Sequence, residues 1–459
     1  MNELLNSRLQ KMRNYYNSGL TKSLLFRQQQ LQKLRAAILQ NENELHAALY
    51  TDLKKSPEES WVTETGFLLS EINNALKHLK QWMRVKKTAT NLVNFPSSSY
   101  IMQEPLGVVL IIGPWNYPLQ LLFTPLVGAV AAGNAVVLKP SEFAPATAAI
   151  MKKIIEENFS KEYIFCVDGD GAEVVPAMMN HFRFNHVFYT GSTAVGKIIY
   201  KMAADQLTPV TLELGGKSPC VVEADADIET AARRIAMTKF SNAGQMCVAP
   251  DYLLVHEKIK DEFIAALKQT IQDFFSDNPS SSYNYGKIIN EKQFNRLINY
   301  LADANIVHGG NYNADKLYIE PTIIENVSMD SPLMKDEIFG PILPVITFHD
   351  LEEAKKIISQ NPDPLAFYVF SSDNKKAIAW LKNIPSGGAC INNCSWHLTN
   401  HYLPFGGRGN SGIGHYHGKR SFDVFSHAKA VMKTPTWFDP AVKYPPFQGR
   451  LKFFKWLIR

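Results

Sequence analysis

From Pro105 onward the chain repeats one pattern, a short apolar run followed by a segment of helix length. Gly107-Val-Val-Leu-Ile-Ile-Gly-Pro, Ala135-Val-Val-Leu-Lys-Pro, Ile164-Phe-Cys-Val and His186-Val-Phe-Tyr are the first four runs. Strands that are apolar on both faces and separated by helices must be covered on both sides, so the pattern specifies a parallel sheet in an α/β fold. Such sheets bind ligands at the carboxyl ends of their strands. The residues after each run are therefore the first place to look for function. One stretch tests this reading: residues 118–138 carry no charge and are long enough to cross a bilayer. Gly133-Asn134 divides them into a helix-length piece and the strand Ala135-Val-Val-Leu, which fits a buried helix feeding a parallel strand better than a membrane span.

Ahead of this region, residues 1–85 place apolar side chains at helical spacing (Leu31, Leu34, Ile38; Leu69, Ile72, Leu76, Leu79) with no β-branched runs, a helical lead-in. Residues 86–104 turn polar and rich in Thr, Asn and Ser, the composition of an exposed β-arm. An unpaired strand edge needs covering, so an arm of this kind implies association with another subunit. The remaining bounds are broad. A chain of 459 residues holds two or three domains, and 46% hydrophobic with 20% charged residues is an ordinary globular composition. A net charge of +5 is too small at this length to argue for nucleic acid. Cys166, Cys220, Cys247, Cys390 and Cys394 form an odd, sparse set, as reduced thiols in a cytoplasmic enzyme do. The first residues, Met1-Asn-Glu-Leu-Leu-Asn, contain no secretion signal.

Several strand ends carry reactive or polar groups. Asn116, in Gly113-Pro-Trp-Asn-Tyr-Pro, is either a turn residue or a side-chain amide able to bind developing negative charge. Lys139-Pro-Ser-Glu142 follows the second run, and after a parallel strand a Lys and a Glu spaced this way suit the hydroxyls of a ribose. Thr190-Gly191-Ser192-Thr-Ala-Val-Gly196 follows the fourth run and opens a helix, whose free N–H groups attract a pyrophosphate. Glu213 ends the apolar Thr-Leu-Glu-Leu run, where burial raises a carboxyl pKa and makes a stronger base. Cys247 lies in Phe240-Ser-Asn-Ala-Gly-Gln-Met-Cys, a loop of small residues that leaves backbone N–H groups free to meet an oxyanion.

Leu212-Glu-Leu-Gly-Gly-Lys-Ser-Pro219 and Phe240-x3-Gly-Gln-x-Cys-x-Ala-Pro250 resemble the two signature motifs of the aldehyde dehydrogenase superfamily. Pro250-Asp-Tyr, Leu403-Pro-Phe-Gly-Gly and Tyr416-His-Gly-Lys-Arg-Ser-Phe resemble its class 3 branch. The resemblance implies a Rossmann-type cofactor domain (105–212, joined by 1–85), a catalytic α/β domain (213–400), a β oligomerisation arm (86–104) and a returning C-terminal segment (401–459). It implies NAD or NADP as cofactor, an aldehyde as substrate, a homodimer, and no bound metal. Cys247 would be the nucleophile, Glu213 the base for water and Asn116 the oxyanion donor. Lys139, Glu142, Gly191, Ser192, Gly196, Glu337, Phe339 and Phe405 would bind the cofactor. Trp61, Tyr117, Trp396 and His397 would form an aromatic substrate channel suited to medium-chain or aromatic aldehydes.

Three competing readings remain open on the sequence. Cys390, Cys394, His397 and His401 have a spacing that also suits zinc. A CoA- or phosphate-dependent acylating relative would need no general base, and a non-catalytic scaffold would have lost the reactive residues. At the end, Lys452, Lys455 and Arg459 fall on one helical face and Leu451, Phe454 and Ile458 on another, a pattern compatible with peripheral contact with an anionic membrane.

Overall fold

The computed structural model describes residues 2–458. The lead-in is helical, with helices at Asn2–Asn17, Leu24–Gln40, Glu42–Leu53 and Gly66–Trp82. Leu31, Leu34 and Ile38 on the second of these helices and Leu69, Ile72 and Leu79 on the last are buried, while Leu20 and Leu25 face water. The uncharged stretch is helix α1 (Pro118–Ala132), buried at every position, followed by the strand Ala135–Lys139. Asn134 at the break satisfies its buried amide by donating to the Ala129 and Phe425 carbonyls and accepting from Gly107 N–H. No helix among the described residues is long and apolar enough to cross a membrane.

A six-stranded sheet runs in the spatial order Gly412–Ile413, Val210–Glu213, His186–Thr190, Val108–Ile112, Ala135–Lys139, Ile164–Cys166. All neighbours are parallel except the first pair. Its register decides where chemistry can occur. Ile112 pairs with both Lys139 and Tyr189, and Thr190 pairs with Glu213, so the loop to Asn116, the Lys139 turn, the Gly191 turn and Glu213 share one carboxyl edge. Helices α2 (Pro145–Asn158) and α3 (Thr193–Asp205) follow two of these strands. The start of α2 is capped from a distance: Asp52 accepts the Ala146 and Thr147 N–H groups (3.2 and 2.8 Å) and the Thr147 hydroxyl (2.7 Å).

The seven-stranded sheet has the order Asn305–His308, Thr322–Glu325, Ile342–Phe348, Tyr252–His256, Pro219–Val222, Ala366–Phe370, Gly388–Ile391. It is parallel apart from the edge strand Asn305–His308. Helix α4 (Ile228–Phe240) precedes the turn that carries Cys247. The arm is three-stranded: Lys86–Thr88 and Ser98–Pro105 are completed by Ser426–Lys433, which returns from the C-terminal segment. The last helix, Leu451–Leu457, buries none of its side chains, and Arg459 of the basic face lies outside the described residues.

Candidate active site

After α4 the backbone reverses through three consecutive left-handed residues, Asn242 (φ 50°), Ala243 (φ 50°) and Gly244 (φ 75°). At Gly244 a Cβ would collide with the Gly340 carbonyl, so only glycine lets the two loops meet. Gln245 is a staple: Nε2 donates to the Asn242 and Lys287 carbonyls and Oε1 accepts from Ile289 N–H. Two residues later the turn presents Cys247, half-buried, on the wall of a cavity of about 630 Å³.

The same cavity is lined by Asn116 and Glu213 from the six-stranded sheet and by Glu337 and Phe339 from the loop before Ile342–Phe348. Asn116 is buried, and its Nδ2 donates to the Gln245 carbonyl at 3.0 Å, which ties it to the cysteine turn. Glu213 is 3% exposed, and neither carboxylate oxygen has a hydrogen-bond partner. Burial with nothing to oppose it raises its pKa well above the ordinary carboxylate range. Burial pushes Glu337 up to about 8, Asp251 adds to the rise, and the Gly216 N–H, Lys217 and Arg296 resist it. The Cys247 thiol is pushed up by burial and then by Glu337 and Glu213, against its own N–H and that of Val248, which are turned toward the sulfur.

Glycines make room for these groups. A Cβ at Gly215 would occupy the position of the Glu337 carboxylate, which explains the glycine beside the Glu213 strand. The lysine of Gly-Gly-Lys is also accounted for. Lys217 pairs with buried Asp251 and donates to the Leu333 and Asp336 carbonyls (2.8 and 2.9 Å), fixing the loop that delivers Glu337.

The residues fit a nicotinamide dinucleotide. Gly191, Ser192 and Thr193 at the start of α3 line the cavity, as does the cation Lys335, a donor set for a pyrophosphate, whereas Arg296 donates to Gln293, Tyr300 and the Glu337 and Ile338 carbonyls. Thr190 Oγ1 is buried there without a partner. Trp115 and Phe339 form an edge-to-face pair at 5.3 Å, and Phe405 adds an apolar wall. Lys139 and Glu142 lie beyond the cavity on the same sheet edge. They are joined at 2.8 Å, and the Lys139 ammonium and the Gly171 N–H hold the Glu142 carboxyl below its usual range against the penalty of its partial burial.

Other expected residues stand elsewhere. Gly196 faces Leu214 inside α3, where a side chain would clash, and does not line the cavity. None of the four channel aromatics lines the cavity. Trp61 and Trp396 are exposed at 41% and 59%. Tyr117 is buried behind Asn116 beneath the Lys55 ammonium, 3.8 Å from its ring centre. His397 stacks on the far side of Phe405 at 6.0 Å. The zinc spacing does not converge: Cys390 meets His397 at 3.4 Å, whereas His401 pairs with Glu71 at 2.8 Å, and no cluster suited to a metal exists among the described residues. Tyr416, whose buried hydroxyl has no partner, lines the cavity unforeseen, although it opens one of the C-terminal motifs.

The family model described as "Aldehyde dehydrogenase family" matches residues 12–431. The chain is 47% identical to 4,4'-diaponeurosporen-aldehyde dehydrogenase of Staphylococcus aureus over 96% of both chains. It is 42% identical to the dimeric NADP-preferring aldehyde dehydrogenase of Mus musculus, over 97% of this chain and 99% of that one. Among solved structures, a substrate-bound state of Staphylococcus aureus AldH superposes with a TM-score of 0.97 at 45% identity, covering 99% of both chains. A Pseudomonas syringae indole-3-acetaldehyde dehydrogenase in complex with NAD+ superposes with a TM-score of 0.85 at 29% identity, covering 93% of this chain and 88% of that one.

Proposed function

The chain belongs to the aldehyde dehydrogenase family, an NAD(P)-dependent enzyme oxidising aldehydes to carboxylic acids, and from that premise we propose which of its residues do so and in what order. Cys247 Sγ gives up its proton to solvent, and the thiolate bonds to the aldehyde carbon. The carbonyl oxygen becomes an oxyanion, held by the Asn116 amide and the Cys247 backbone N–H. The nicotinamide cofactor, when bound, accepts the hydride that leaves this carbon. A thioester on Cys247 remains. Glu213 takes a proton from water, the water oxygen attacks the thioester carbon, and the acid departs as the thiol is restored.

Glu213 carries this reading. A buried carboxylate with both oxygens unpartnered is costly, and its raised pKa makes it a base strong enough to activate water. An acylating enzyme, which hands its thioester to CoA or phosphate, has no use for it. Lys335 and the start of α3 would hold the pyrophosphate, with Lys139, Glu142 and Glu337 on the two riboses. The apolar wall of Trp115, Phe339 and Phe405 favours medium-chain or aromatic aldehydes.

We also propose a cytoplasmic homodimer associated through the arm, whose outer strands leave open edges. The basic, aromatic C-terminal helix would touch an anionic membrane surface.

Reduced cofactor measured at 340 nm tests the mechanism. Cys247→Ala should yield none. Glu213→Gln should give a burst of about one equivalent per subunit, then a steady rate slower by about 10²–10⁴-fold. A Glu213→Gln enzyme that turns over normally without CoA or phosphate would sink the assignment of the base.

A further inference from the structure

One buried ion pair near the reaction centre belongs to neither sheet. Lys55 and Glu64, from the helical lead-in, are both fully buried and joined at 2.7 Å. Lys55 Nζ also donates to the Asn116 backbone carbonyl at 3.0 Å. The second Glu64 oxygen accepts the Leu119 and Gln120 N–H groups, both at 3.0 Å. These belong to the first turn of α1, where Tyr117 offers no side-chain cap. The Asn116 carbonyl takes a second donor, Asn242 Nδ2, at 2.8 Å, and Asn242 N–H is itself accepted by Glu59 at 2.9 Å. One short segment of the lead-in thus grips the asparagine loop, and through Asn242 it also grips the cysteine turn.

A buried ion pair is a poor means of adding stability, because desolvation of both ions consumes most of their attraction and an apolar pair often does as well. What it provides is direction. Each Glu64 oxygen meets a donor, and each Lys55 contact fixes an acceptor whose position matters to the reaction. We propose that the Lys55–Glu64 pair is the positioning device for Asn116, holding its backbone so that the side-chain amide faces the oxyanion. The inference rests on the assignment of Asn116 as an oxyanion donor. Neither Lys55 nor Glu64 lines the cavity, so both act through Asn116 rather than on substrate.

Four enzymes in a double-mutant cycle test this: native, Lys55→Met, Asn116→Ala and the double variant. The readouts are kcat with an aromatic aldehyde and cofactor affinity from quenching of tryptophan fluorescence. Asn116→Ala should lower kcat by about 10²–10³-fold, the usual loss for one oxyanion donor. Lys55→Met should lower it by about tenfold or more with cofactor affinity unchanged, since misplacing a reacting group by about 1 Å costs up to about 10²-fold. In the Asn116→Ala background the same substitution should cost less than about twofold, because the group it positions is gone. Glu64→Gln provides a second route. Its amide oxygen still caps α1 while its amide nitrogen opposes Lys55, so it should reproduce the non-additive loss without uncapping the helix.

Losses that multiply in the double variant, or a native kcat in Lys55→Met, overturn the proposal. So does loss of cofactor binding in both Lys55→Met and Glu64→Gln, which would make the pair a prop of the fold. If Asn116→Ala itself leaves kcat unchanged, the oxyanion assignment fails instead, and the two failures are told apart.

Discussion

Cys247 and Glu213 both have pKa values raised by burial, and each must be ionised to act, so turnover should climb as pH rises. Glu213→Gln removes the carboxylate, so the slow steady rate that remains should lose the part of the climb owed to the base while the burst keeps the part owed to the thiol. A pH profile of both phases checks this, and an unchanged steady-state limb would count against it. Glu337 gives a stability prediction of definite sign. Its folded pKa of about 8 exceeds the ordinary 4.5, so its neutral form favours the fold below about pH 4.5, and that contribution is lost as pH rises toward 8. Across this window the urea midpoint of Glu337→Gln should gain on that of the native chain as pH rises, by the share owed to this one carboxyl. On the proposed ribose contact, the Glu142 carboxylate would repel a 2′-phosphate, so Glu142→Gln should move the NAD:NADP ratio of kcat/KM toward NADP by about tenfold. These residues were legible because strand ends and small-residue loops announce themselves in sequence. The channel aromatics lie outside the cavity, since a Trp in a chain says nothing of the direction its side chain takes, and Trp61 and Trp396 face water.

At the scale of elements, the helices and strands with local signals lie close to where periodicity and Gly-Asn breaks put them, α1 and the strand after it being the clearest case. What sequence hides is help from afar. No local cap exists at Ala144, and α2 starts cleanly only because Asp52, on another helix, meets three of its donors. Lys55 and Glu64 are hidden for the same reason, since apart from each other their partners lie more than fifty residues away. Asp52→Ala leaves buried N–H groups unpaired and should cost about 2 kcal/mol of stability. Because the Lys139–Glu142 turn leads directly into α2, the same change should raise KM for the cofactor with little effect on kcat. Equilibrium unfolding and steady-state kinetics check the two parts separately, and native values for both would refute the cap as an organiser of the ribose turn.

Across the whole molecule, exposed apolar surface is concentrated outside the two sheets. Trp437, Phe447, Leu451, Phe453, Trp456 and Ile458 in the C-terminal tail are all exposed, next to Lys452 and Lys455. A chain leaves so much aromatic surface uncovered only if something else covers it. Of two covers that would suit it, a second copy of the chain and the proposed anionic membrane, the lysines favour the membrane, where each basic residue near the surface contributes about 1 kcal/mol. The arm, by contrast, offers backbone edges suited to another chain, so the two surfaces should answer to different partners. Deleting residues 448–459 separates them. The truncated enzyme should remain dimeric in sedimentation equilibrium and keep its kcat on a soluble aldehyde, because no tail residue lines the cavity. It should lose co-sedimentation with phosphatidylserine-containing vesicles, and the native enzyme should release them as salt is raised, since the attraction is screened within a Debye length. Equal vesicle binding by both forms removes the membrane from the account, and a truncated enzyme that falls to monomers makes the tail part of the subunit interface.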